Sequence, residues 1–87
     1  MSRWEKTLAD MAIDPKPVGY TYAEAAAVLK GLGFALARGA RGSHRKWRRK
    51  SSQGGTLVVG LVEGSDPLKA YLIRDMISQL RAGGLLK

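Results

Sequence analysis

Two short segments near the middle of the chain constrain its fold more than any other feature. Residues 43–49 carry cations on either side of Trp47, and residues 56–61 are β-branched and apolar. Between them, residues 50–55 are polar and close on Gly54-Gly55. Runs of this length around a glycine-ended loop read as an antiparallel hairpin. Residues 34–38, followed by a turn over 39–42, supply a strand before it. A three-stranded meander in a chain of 87 residues cannot bury both of its faces. Helices must therefore cover one face and leave the other open.

The flanking segments supply those helices. Trp4, Leu8 and Met11 lie at helical spacing within residues 4–12, and Pro15 and Pro17 stop that helix. Thr21 is placed to cap a second helix over residues 22–30, with Glu24 completing a capping box. Its apolar stripe is Tyr22, Ala25, Ala26, Leu29 and Leu32, and Gly31 and Gly33 end it. The last helix is expected to start at Ser65-Asp66-Pro67, with Asp66 as cap and Pro67 in the first helical position. Leu68, Leu72, Met76 and Leu80, joined by Ile73 and Ile77, mark its buried face, and Gly83-Gly84 terminates it. The order α-α-β-β-β-α predicts one α+β domain over residues 1–87. Its three-stranded antiparallel sheet is backed by helices on one face, a layer like that of double-stranded-RNA-binding domains. Residues 21–83 form the core of this layer, and 4–12 an extra N-terminal helix.

Charge says what the open face is for. The net charge is +8, and seven of the fifteen cations fall between Arg38 and Lys50, a window with no acid. The other eight cations are nearly balanced by all seven acids. Charge this local is a footprint for a polyanion. The plain alternative is a solvated face kept for solubility. A membrane surface fits less well, because the window has no apolar face. The longest apolar stretch, residues 57–62, is too short to span a bilayer. Residues 1–6 lack the apolar region of a secretory signal. The absence of cysteine removes disulfides and thiolate zinc sites and fits a cytoplasmic protein.

Inside the window sits the only histidine, His44, after Gly42 and Ser43. Strand alternation puts His44, Lys46 and Arg48 on one face and Ser43, Arg45 and Trp47 on the other. Trp47 belongs to the covered face, so His44 faces out unless a one-residue bulge reverses the register. Histidine is the side chain suited to proton transfer near neutral pH. An RNA phosphodiester carries its own nucleophile, the 2′-hydroxyl, so His44 is a candidate base for cleavage beside cations that hold the phosphate. The plainer reading of a lone histidine in a basic strand is a nucleic-acid contact or a solvated residue. The RNA contacts expected are Arg41, Gly42, Ser43, Arg45, Lys46, Arg48 and Arg49. No cluster of Asp, Glu, His or Cys suggests a metal, and no glycine-rich phosphate loop opens a helix, so no cofactor is expected. Two rival readings share these cations: a non-catalytic RNA-binding module, and a DNA-binding or ribosome-associated accessory protein.

The same residues carry a family resemblance. The capped helix, Leu32-Gly33-Phe34, a strand, Arg41-Gly42-Ser43-His44 and Trp47 resemble the HicA toxins of toxin–antitoxin pairs. Glu5-Lys6-Thr7-Leu8 and Lys69-Ala70-Tyr71 are similar to elements of a subset of that family. The resemblance implies an endoribonuclease that cleaves mRNA, a HicB-type antitoxin partner, and a catalytic role for His44. Many relatives follow this histidine with a second histidine or apolar residues and carry Pro-x-His after the third strand. Here Arg45-Lys46 and Gly60-Leu61-Val62-Glu63 stand instead, which leaves the general acid unassigned.

Overall fold

A computed structural model describes residues 2–13, 19–39, 42–51, 54–64 and 66–86. The elements run α1 (Arg3–Ile13), α2 (Tyr22–Gly31), β1 (Ala35–Leu36), β2 (His44–Lys50), β3 (Thr56–Val62) and α3 (Ala70–Ala82). The strands form one antiparallel sheet in the order β1-β2-β3. This is the α+β layer expected from the sequence. Prolines 15 and 17 lie outside the described residues.

Register decides which side chains are buried. β2 and β3 pair without interruption from His44 opposite Val62 to Lys50 opposite Thr56. No bulge intervenes, so alternation holds along the whole hairpin. Trp47 faces Val59 on the covered side, where both are buried together with Leu61. The helices close over them with Leu8 and Met11 of α1, Ala25, Val28 and Leu29 of α2, and Ile73, Met76 and Leu80 of α3. Each fully buried aliphatic chain here contributes roughly 1.5–3 kcal/mol. Among the described residues, no polar or charged side chain is buried in this core.

Local chemistry sets the helix ends. Thr21 Oγ1 accepts from Glu24 N at 3.1 Å, and Thr21 N donates to Glu24 Oε1 at 2.9 Å, so the expected capping box is formed. Gly33, at φ 89°, reverses the chain after α2, and Phe34 N then donates to Leu29 O at 2.9 Å. That reversal turns Phe34 into the core instead of onto the first strand. β1 is accordingly shorter than the expected 34–38. Its pairing extends only as far as Ala37 N donating to Lys46 O at 2.8 Å, before Gly39 turns at φ 84°. At α1, Ser2 N and Oγ both donate to Glu5 Oε1 at 3.0 Å. These bonds, the backbone one foremost, hold the Glu5 carboxyl below its ordinary range.

α3 departs from expectation at its start. Asp66 does not cap it, because Asp66 Oδ1 accepts from Tyr22 N at 2.8 Å. Tyr22 N lies in the first turn of α2, where free N–H groups and the helix dipole both attract a carboxylate. Leu68 N donates to Tyr20 O at 2.8 Å, which stitches the same connection to the entry of α2. The helix then begins at Ala70, and its cap residue Lys69 makes no side-chain cap bond. Leu68 is still buried, but ahead of the helix.

Candidate nucleic-acid interface

Alternation along β2 separates two sets of side chains. His44, Lys46, Arg48 and Lys50 are exposed on the open face, while Trp47 is buried behind it and Arg45 and Arg49 are half-buried. The residues opposite the exposed row on β3 are Val62, Gly60, Val58 and Thr56. No acid on β3 therefore answers the open row. Three cations and one imidazole lie side by side with nothing on the sheet to neutralise them, an arrangement chemically able to hold a polyanion.

The turn that presents His44 is clasped from behind. Arg45 Nε pairs with Glu63 Oε1 at 3.0 Å. Its Nη1 donates to Gly42 O at 2.7 Å and to His44 O at 3.0 Å. Glu63 N donates to Ser43 O at 2.8 Å. Arg45 thus spends its donors on the backbone beneath His44, on the face away from the open row. Of the other expected contacts, Gly42 and Ser43 are exposed in the turn and Arg49 lies on the Trp47 side of β2. Arg41 lies outside the described residues.

Sequence reasoning missed the neighbour of this row. A groove of about 470 Å³ runs between the open side of β3 and α3, with His44 and Lys46 on one side, Tyr71, Asp75 and Gln79 on the other, and Gly60 at its floor. Gly83 approaches Leu57 so closely that an added Cβ would overlap its side chain. The C-terminal end of α3 therefore meets the start of β3. That orientation puts Tyr71 at the Val62 end, which His44 shares. A second cavity of about 390 Å³ opens on the covered side, lined by Tyr22, Lys30, Phe34, Leu36 and Trp47. There Lys30 Nζ stands 5.8 Å from the Trp47 ring centroid, a cation–π contact.

A sequence model of the HicA toxin of bacterial toxin–antitoxin systems matches residues 22–82. The chain belongs to the HicA toxin family. The match runs from the first residue of α2 to the last of α3, so it takes in the whole sheet and both groove walls and leaves α1 outside. Comparison with curated proteins and with solved structures returned no match. Membership makes this HicA-family chain a toxin component, and a toxin of such a pair has an antitoxin as its partner. Among the described residues, no helix is long and apolar enough to cross a membrane, and no three of His, Cys, Asp and Glu gather as a metal site would require.

Proposed function

We propose that this HicA-family toxin is an endoribonuclease that cuts mRNA, with His44 as its acid–base residue. The observation that carries this reading is the open face of β2, where His44 stands in line with Lys46, Arg48 and Lys50 and no carboxylate on β3 opposes them. His44 takes the proton of a 2′-hydroxyl, and the freed oxygen attacks the adjacent phosphorus. The bond to the 5′-oxygen then breaks, leaving a 2′,3′-cyclic phosphate and a 5′-hydroxyl. The leaving oxygen needs one proton, and the imidazolium just formed can return it directly or through water. Lys46 and Arg48 hold the phosphate and stabilise the charge that develops on it. Gly42 and Ser43 present the turn to the RNA and Arg41 adds a cationic contact, while Arg45 and Arg49 add positive field from the opposite face. The chemistry proceeds without a metal ion. The antitoxin partner is of HicB type, and it silences the toxin by covering this face in the cytoplasm.

The test is incubation of purified protein with a long structured RNA in EDTA, with His44→Ala alongside. Wild type is expected to cut and leave cyclic-phosphate ends. The variant is expected to bind equally but to cut about 10²–10⁴-fold more slowly, the usual contribution of a positioned acid–base group. A variant that cuts as fast as wild type removes His44 from the chemistry. Binding by both proteins with cutting by neither makes the protein an RNA-binding module.

A further inference from the structure

We propose that the groove between β3 and α3 is a base pocket that takes a guanine of the bound RNA, with Asp75 reading its Watson–Crick edge. The proposal rests on the reading that the open face of β2 binds RNA. Three features of the groove carry it.

The first is its floor. Gly60 lies opposite Lys46, and a Cβ built on it would meet nothing within 4 Å. Its φ is not positive, so the backbone does not require glycine there. Glycine inside a strand weakens the strand and commonly marks a place where another group approaches closely. A bare strand position beside the cationic row leaves room for a flat ring against the sheet, and the groove volume of about 470 Å³ falls within the range of small-ligand sites, roughly 300–1,000 Å³.

The second feature is Asp75, among the described residues the only carboxylate lining the groove. Its side chain makes no hydrogen bond or ion pair with any described residue. Gly83 meets Leu57, and from there α3 rises about 1.5 Å and β3 about 3.3 Å per residue. Asp75 therefore stands about level with Gly60, across the floor from Lys46. A carboxylate repels phosphate, so the groove is not a continuation of the phosphate track. It suits a group that donates hydrogen bonds.

The third is chemical matching. Guanine presents two parallel donors, N1–H and N2–H, which meet both oxygens of one carboxylate. Cytosine and adenine offer one amino donor beside an acceptor, and uracil one imino donor between two carbonyls. Only guanine satisfies the carboxylate without turning a lone pair toward it. Tyr71, half-exposed at the His44 end of the groove, supplies the aromatic face on which such a base stacks.

The experiment measures binding of labelled hexaribonucleotides, uridine throughout except for one central G, A, C or U, to the His44→Ala protein so that none is cut. The G oligomer is expected to bind about tenfold more tightly than the other three. Adding Asp75→Asn should bring all four within about twofold while leaving the U oligomer's affinity unchanged or slightly raised. Gly60→Val, which fills the floor, should lower G binding to the level of U without lowering the thermal midpoint. Equal binding of the four oligomers, preference for another base, or a G preference that survives Asp75→Asn overturns the proposal. A protein that selects guanine but does not cut leaves the base pocket standing and removes the nuclease reading. One that cuts in EDTA without base preference does the reverse.

Discussion

β2 carries two faces whose cations do different work. On the open face Lys46, Arg48 and Lys50 flank one another with no acid opposite on β3. On the covered face Arg45 and Arg49 flank a buried Trp47, and Arg45 is tied to Glu63 and to the carbonyls of Gly42 and His44. The residue types are alike and neighbours in sequence differ by one position. What separates them is which element lies behind each. Cations over solvent keep their donors free, whereas Arg45, at the margin of the helical layer, spends its donors on the fold. A count of basic residues therefore overstates the number of cations left free for a ligand.

The strongest way to break this comparison is to remove its buried pivot. Trp47→Ala should cost about 3–5 kcal/mol, a large share of the roughly 5–15 kcal/mol that holds a small domain together. A thermal melt followed by circular dichroism should show the loss, at roughly 4–8 °C per kcal/mol. A midpoint within a few degrees of wild type would place Trp47 on the wrong face. Next in size is the charge contrast. Lys46→Ala with Arg48→Ala should leave stability within about 0.5 kcal/mol and flatten the logarithmic salt slope of RNA binding by about 1.4, near 0.7 for each lost contact. Arg45→Ala with Arg49→Ala should lower the thermal midpoint and leave that slope close to wild type. Equal slopes for the two pairs would erase the distinction between the faces. The smallest effect is expected at Glu63→Gln. The Arg45–Glu63 pair is half-open to solvent and worth about 0–1 kcal/mol, and Arg45 keeps its two carbonyl partners. A melt should barely move, and a large drop would give the pair more of the fold than its exposure supports.

Much of the architecture was legible because its causes are local. The Thr21–Glu24 box closes within three residues. The faces of β2 follow from a period of two, and the stripe Ile73, Met76, Ile77 and Leu80 from the helical period. The same signals placed His44 in line with Lys46 and Arg48. They misjudged β1, because the reversal at Gly33 carries Phe34 into the core before pairing begins. In sequence Gly31 marks a helix stop, yet an added Cβ there would overlap the indole of Trp4, so it also admits α1 against α2.

The sequence by itself determined the order of elements, the two faces of the hairpin and the histidine set in its cationic row, because period and capping act across a few neighbouring residues. Only the tertiary structure decided what Asp66 and Arg45 bond and where Asp75 lies. Asp66 caps nothing locally and bonds Tyr22, 44 positions away. Arg45 finds Glu63 only once β3 has folded back along β2. Asp75 comes beside the open row only because α3 returns along β3. The partners of Asp66 and Arg45, and the strand beside Asp75, lie far along the chain, and hydrogen bonds and ion pairs act over a few ångströms, so these arrangements exist only after the chain has brought distant segments together.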